Sequence, residues 1–318
     1  MDNRATARLE AGIRQFQAGR DSGLARLITL VESSPELADG VFSRIGESSV
    51  PCHVIGFTGP PGAGKSTLVS SVTTVLRDEG RRVGIVAVDP TSPFSGGAML
   101  GDRIRMERHY LDPGVFIRSL ATRGGIGGLS PATKDVIKLM RAFGFDTILV
   151  ETVGVGQTEL DVMAAVDTVV VVLVPEAGDS IQAMKAGLME IADVFVVNKA
   201  DRPGGREFKS ALRAMLGLAQ QRGPWEPPVL ATQADRDVGS AEVMVAINRH
   251  ARYLRESGEL EIRRLLREER ELLDMAFAHL GNRWKALKGR PEWAELATRV
   301  ISRRVGVDRF LKAIADSA

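Results

Sequence analysis

An α/β fold is predicted: a doubly wound, mostly parallel sheet flanked by helices, with helical extensions before and after it. Three observations carry this. Seven short runs, "VIGFTG", "VGIVAVDP", "VFIRSL", "TILVET", "TVVVVLVP", "VFVVNKAD" and "PVLAT", are Val/Ile-rich and apolar without alternation, as strands covered on both faces are. Helical stretches such as "KSTLVSSVTTVLRDEG" and "SPATKDVIKLMRAFG" separate them. Outside residues 51–240 the strand signal is gone.

In chain order, residues 1–50 read as an N-terminal helical extension. Leu24, Leu27, Ile28 and Val31 are spaced as one helix face, and Pro35 opens a new element. Residues 51–240 hold all the strand-like runs and form the predicted sheet domain. After about residue 240, "SAEVMVAINRHARYLRES" and "LEIRRLLREERELLDMAFAHL" are amphipathic and highly charged, so 241–318 reads as a C-terminal helical extension. Ile262, Leu265, Leu266, Leu272, Leu273 and Ala276 trace one apolar stripe there. Periodicity favours a helix packed on its own domain and leaves open one that pairs two subunits.

Bulk composition excludes several classes. With 44% hydrophobic and 26% charged residues the chain is of ordinary soluble globular type. Lys and Arg total 42 against 40 Asp and Glu, a net charge of +2, which gives no electrostatic case for nucleic acid or an anionic membrane. Cys52 is the only cysteine, so no internal disulfide forms and a reducing compartment is expected. The start, "MDNRATARLEAGIRQ", has no apolar secretory core, and "TVVVVLVP" is too short to span a bilayer. A cytoplasmic location is the expectation.

The first strand runs into Gly59-Pro60-Pro61-Gly62-Ala63-Gly64-Lys65-Ser66, which fits G-x-x-x-x-G-K-[ST], the P-loop. Glycines let consecutive backbone N–H groups point inward at phosphate oxygens, and the following helix adds the positive end of its dipole. Lys65 can reach the β- and γ-phosphates and Ser66 can ligate Mg²⁺. Gly62, Ala63, Gly64 and Thr67 complete the predicted phosphate contacts, and the fold becomes a P-loop NTPase.

Downstream, Asn198-Lys199-Ala200-Asp201 follows an apolar strand. N-K-x-D in that position resembles the guanine-specificity motif of GTPases. An ionised Asp201 accepts both N1–H and the 2-amino group of guanine, whereas adenine turns a lone pair toward it. The stem of Lys199 can lie along the base, and Asn198 can tie this loop to the P-loop. Gln233 and Ala234 in "LATQAD" lie where GTPases often carry Ser-Ala beside the base, with Gln in place of Ser. For the metal, three acids are candidates: Asp89 ends "VGIVAVD", Asp102 sits in "SGGAMLGDRIRM" and Glu151 ends "TILVE". Each taken alone reads equally as a cap or turn acid.

Together, "GFTGPPGAGKSTL", "VAVDPTSPFSGGAMLGDRIRM", "FIRSLATRGGIGGLS", "LVETVGVGQTELDV", "PEAGDSIQAMKAG" and "NKAD" resemble the MeaB/ArgK-type GTPases, the methylmalonyl-CoA mutase-associated GTPases. The likeness runs from about residue 10 to 250 and more loosely to the end. It implies a homodimeric G-protein chaperone for an adenosylcobalamin-dependent acyl-CoA mutase, acting in cofactor loading, exchange of damaged cofactor and protection. It also tips the C-terminal helices toward a dimer arm. By motif position, Ser66, Asp89, Asp102 and Glu151 become the Mg²⁺ shell, "TSPFSGGAMLGDRIRM" switch I and "ETVGVGQ" switch II. Residues 175–187 match a loop used to signal to the mutase, in which Lys185 can approach the nucleotide. The catalytic set is then Lys65, Asp102, Glu151, Gly154 and Lys185. Val155, not glutamine, follows Gly154, and Gln157 is displaced, so hydrolysis is expected to be slow alone and raised by a partner.

The resemblance implies methylmalonyl-CoA mutase as the default partner, with isobutyryl-CoA and 2-hydroxyisobutyryl-CoA mutases, which use similar chaperones, as alternatives. No D-x-H-x-x-G cobalamin motif is present, so adenosylcobalamin is expected on the partner and not on this chain. A nickel-delivering GTPase is disfavoured because His53, His109, His250 and His279 are scattered and Cys52 has no second cysteine. A protein kinase acting on a transport protein would need an H-R-D loop, which is missing. A regulatory GTP-binding protein that hardly hydrolyses stays open.

Overall fold

The structure, a computed structural model, describes residues 3–34, 37–46, 50–89, 106–121, 131–152, 165–175, 188–218, 224–287, 291–302, 306, 308–309 and 311–312. The chain divides into two compact units, Met1–Gly258 and Glu259–Ala318.

Among the described residues the first unit has seven strands: β1 (His53–Thr58), β2 (Val83–Asp89), β3 (Val115–Ala121), β4 (Thr147–Glu151), β5 (Thr168–Leu173), β6 (Val194–Val197) and β7 (Val229–Ala231). They form one sheet in the order β3-β2-β4-β1-β5-β6-β7, with every neighbouring pair parallel. Its longer described helices are α1 (Asn3–Gln17), α2 (Asp21–Ser33), α3 (Ala38–Ile45), α4 (Lys65–Asp78), α5 (Pro131–Phe143), α6 (Gly205–Leu218) and α7 (Ser240–Glu256).

Side chains along a strand alternate between faces, and here both faces are dry. Val54, Ile148, Val150, Val171, Phe195 and Val197 share one buried cluster with Leu24, Leu27 and Ile28 of α2, Met140 of α5 and Leu212 of α6. Their neighbours Ile55, Phe57, Leu149, Val170, Val172 and Val196 point the other way and pack with Leu68 and Val72 of α4 and Val243 and Ile247 of α7. Burying each such side chain contributes about 1.5–3 kcal/mol, which explains the lack of polar alternation in the strands.

The α2 face predicted from its spacing is present, with Leu24, Leu27, Ile28 and Val31 all buried. Gly23 lets α2 approach α1 closely, since a Cβ there would stand 2.3 Å from the backbone nitrogen of Phe16. The helix after residue 240, α7, belongs to this unit and joins α4 through a 2.5 Å hydrogen bond between the Ser71 and Ser240 hydroxyls.

The second unit contains α8 (Glu259–Leu287) and α9 (Pro291–Ile301). On α8 the apolar residues Ile262, Leu265, Leu266, Leu272, Leu273 and Phe277 are exposed. Arg263 pairs one turn back with Glu259 at 2.8 Å. Among the described residues no helix is long and apolar enough to cross a membrane.

Candidate nucleotide-binding site

Parallel strands bring all their carboxyl ends to one edge of the sheet, and ligands of such sheets bind beyond that edge. Register places Phe57 beside Glu151 and Ala87 beside Glu151, so the ends of β1, β4 and β2 lie together. The loop of residues 59–66 leaves β1 there and enters α4. Its turns use left-handed glycines, Gly62 at φ 75° and Gly64 at φ 85°. Gly64 has no room for a side chain, because a Cβ would stand 2.4 Å from the Asn198 amide nitrogen.

Lys65, buried at the first turn of α4, donates from Nζ to the carbonyls of Gly59 at 2.8 Å and Pro60 at 3.2 Å. Its charge is thereby held over the loop. Ser66 donates from Oγ to Oε1 of Glu151 at 2.5 Å. Both residues are buried. This hydroxyl and carboxylate are hard oxygen donors of the kind Mg²⁺ takes, and few protein ligands are needed when phosphates and water fill the remaining positions. The pair therefore fits that ion. Asp89 ends β2 on the same edge of the sheet. Asp102, Gly154 and Lys185 lie outside the described residues, as does nearly all of the two predicted switch segments and of the 175–187 loop.

The second predicted motif meets the first. Asn198, buried, donates from Nδ2 to the carbonyl of Ala63 at 2.9 Å. Its Oδ1 accepts from the Thr232 hydroxyl at 3.0 Å and from the Ala234 amide at 3.1 Å. One side chain thus joins the phosphate loop to both downstream loops. Lys199, at φ 54°, donates from Nζ to the Gly62 carbonyl at 2.9 Å, so its stem lies across the loop. Asp201 follows in an exposed turn. Gln233 pairs with Val238 to close a turn that carries Ala234, while Thr67 is half-buried one residue beyond Ser66. The motif reading missed Thr232. The only sequence signal was its place next to Gln233, and its partner lies 34 residues away.

Phosphate loop and base loop wired to each other at the edge of a parallel sheet define the P-loop GTPases as a class, and this chain is one. It belongs, more narrowly, to the methylmalonyl Co-A mutase-associated GTPase MeaB family, whose family model matches residues 24–288. Similar sequences include a putative GTPase of Pyrococcus abyssi, 45% identical over 309 residues, covering 95% of each chain. Another, a putative GTPase of Pyrococcus horikoshii, is 50% identical over 263 residues, covering 82% of this chain and 83% of its own. Among solved structures, one titled LAO/AO transport system kinase superposes with a TM-score of 0.69 at 26% identity, covering 98% of this chain and 97% of that one.

Proposed function

We propose that this GTPase uses guanine nucleotide as a clock for an adenosylcobalamin-dependent acyl-CoA mutase, helping to load intact cofactor, exchange damaged cofactor and protect the working enzyme. The reading is supported by the family's association with methylmalonyl Co-A mutase. The observation that supports the nucleotide part is the Asn198 bridge, whose hydrogen bonds join the loop of residues 59–66 to the turn that carries Ala234.

In this reading the amides of residues 62–67 and the Lys65 ammonium take the triphosphate. Asp201 accepts the two guanine donors, Lys199 lies along the base, and Gln233 and Ala234 line its edge. Ser66 and Glu151, joined by Asp89 and Asp102, would hold Mg²⁺, which when bound neutralises charge on the phosphates. By motif position Gly154 would donate to the γ-phosphate and Lys185 would be the lysine that approaches it. Hydrolysis is mainly positioning and charge stabilisation, so with no glutamine directly after Gly154 it runs slowly until a partner orders the loops. The cobalamin stays on the mutase, and the GTPase acts as a homodimer.

Asp201→Asn tests the base assignment. An amide presents a donor where the carboxylate presented only acceptors, so GTP affinity falls by about 100-fold or more and xanthosine triphosphate, which carries an oxygen at position 2, gains. Calorimetry showing unchanged GTP binding, or wild type binding ATP equally well, overturns the guanine assignment. For the partner, affinity capture with a non-hydrolysable GTP analogue recovers a mutase subunit; capture with no mutase overturns the chaperone role.

A further inference from the structure

Beside the base loop lies a group of contacts that the nucleotide site does not use. Residues 106–112, between β2 and β3, are seated on α4. Met106 is fully buried, and His109, also buried, donates from Nε2 to the Ser70 carbonyl at 2.9 Å. Arg108 donates from Nε to the Ser70 hydroxyl at 2.8 Å. Its two remaining nitrogens form a fork on Asp237, at 3.0 and 3.1 Å.

Asp237 belongs to the turn that carries Ala234. That turn is closed on itself by Gln233 N to Val238 O at 3.0 Å and Val238 N to Gln233 O at 3.2 Å. It holds Asp237 in the left-handed region at φ 56°, a conformation with a small cost for a residue other than glycine. Side chains grip the turn from opposite ends: Asn198 at Ala234, and Arg108 together with the Ser71 hydroxyl at Asp237. A solvent-facing ion pair is usually worth little. This one differs, because the guanidinium is bidentate and its third nitrogen is fixed to a buried serine on the helix that begins at Lys65 and Ser66. The hydrogen bonds from Arg108, and then that from Ser71, hold the Asp237 carboxyl below its usual value.

We propose that Arg108 and Asp237 form a clasp that positions the turn of residues 233–238 and so sets the affinity for the guanine base. They are positioning residues, acting through Ala234 and Asn198. The inference rests on the guanine reading given above. Arg108 thus ties the turn to α4, through Asp237 on one side and Ser70 on the other.

The test is a double-mutant cycle of Arg108→Gln, Asp237→Asn and the pair together. Dissociation of methylanthraniloyl-GDP is followed, with GDP and ADP as competitors and thermal denaturation as a fold check. Each single variant is expected to weaken GDP about five-fold through faster dissociation, and the double variant to be no weaker than either single. Competition by ADP, which makes no use of the guanine contacts, stays unchanged, so selectivity shrinks by the same factor. Unchanged GDP dissociation in folded variants overturns the clasp. Additive losses, or equal losses for GDP and ADP, do so as well, since they report general loosening. If wild type itself does not prefer GDP to ADP, the guanine reading fails first and takes the clasp with it.

Discussion

Burial pushes the His109 imidazole below its ordinary value, with Arg108 acting in the same direction and the Ser70 carbonyl, Asp112 and Asp237 acting against it. The unfolded chain takes up this proton near pH 6.5, the folded chain only at lower pH. Between those values the unfolded state binds more protons, so stability falls as pH drops below about 6.5 and levels off once folded His109 charges. His109→Gln keeps a donor for Ser70 but cannot titrate, and urea midpoints measured from pH 7.5 to 5 are expected to slope less than in wild type. An equal slope in both would remove His109 from the account. Asp237 works in the same direction at lower pH. Its contribution is complete above about pH 3.9 and is lost as pH falls through its lowered folded value.

At the scale of elements, the seat of α2 on α1 depends on one missing methyl. Gly23→Ala places a Cβ 2.3 Å from the Phe16 nitrogen and 2.5 Å from the Gln15 carbonyl carbon, both backbone. The helices must separate, and the cost is about 1–3 kcal/mol by denaturant titration. An unchanged midpoint would mean that the pair relaxes freely. The α2 face was legible in the sequence because a helix writes its buried side every three or four residues. The strands were legible because cover on both faces forces unbroken apolar runs. For α7, periodicity gave the apolar side but not its partner: Val243, Ile247 and Leu254 are buried, two of them in the cluster that covers one face of the sheet. The site follows the same rule. Lys65, Ser66, Asn198 and Lys199 sit in local motifs and were read directly. The Asn198–Thr232 and Arg108–Asp237 contacts join residues 34 and 129 apart, which only the folded sheet brings together.

At the scale of the molecule, the exposed stripe on α8 has the composition of an interface. Leu265 and Leu272 are 58% and 66% exposed, and large apolar patches of this kind mark association sites. If α8 pairs two subunits, Leu265→Glu with Leu272→Glu shifts sedimentation from dimer to monomer at micromolar concentration while GTP affinity changes less than about two-fold. A wild-type monomer, or a variant that remains dimeric, rules this helix out as the arm.

The parallel topology has a further consequence for how the chain is made. The strand that bears the phosphate loop ends at Thr58, but its two flanking strands begin only at Thr147 and Thr168. A ribosome working from the amino end finishes the middle of the sheet long before either neighbour emerges, and such distant pairing is slow. Until residue 151 has left the tunnel, this apolar strand lacks the first of its two neighbours, and its second is complete only at residue 173. Asn198 and Ala234, which complete the pocket, arrive later still. A site built from both loops is therefore complete only after most of the sheet has been made.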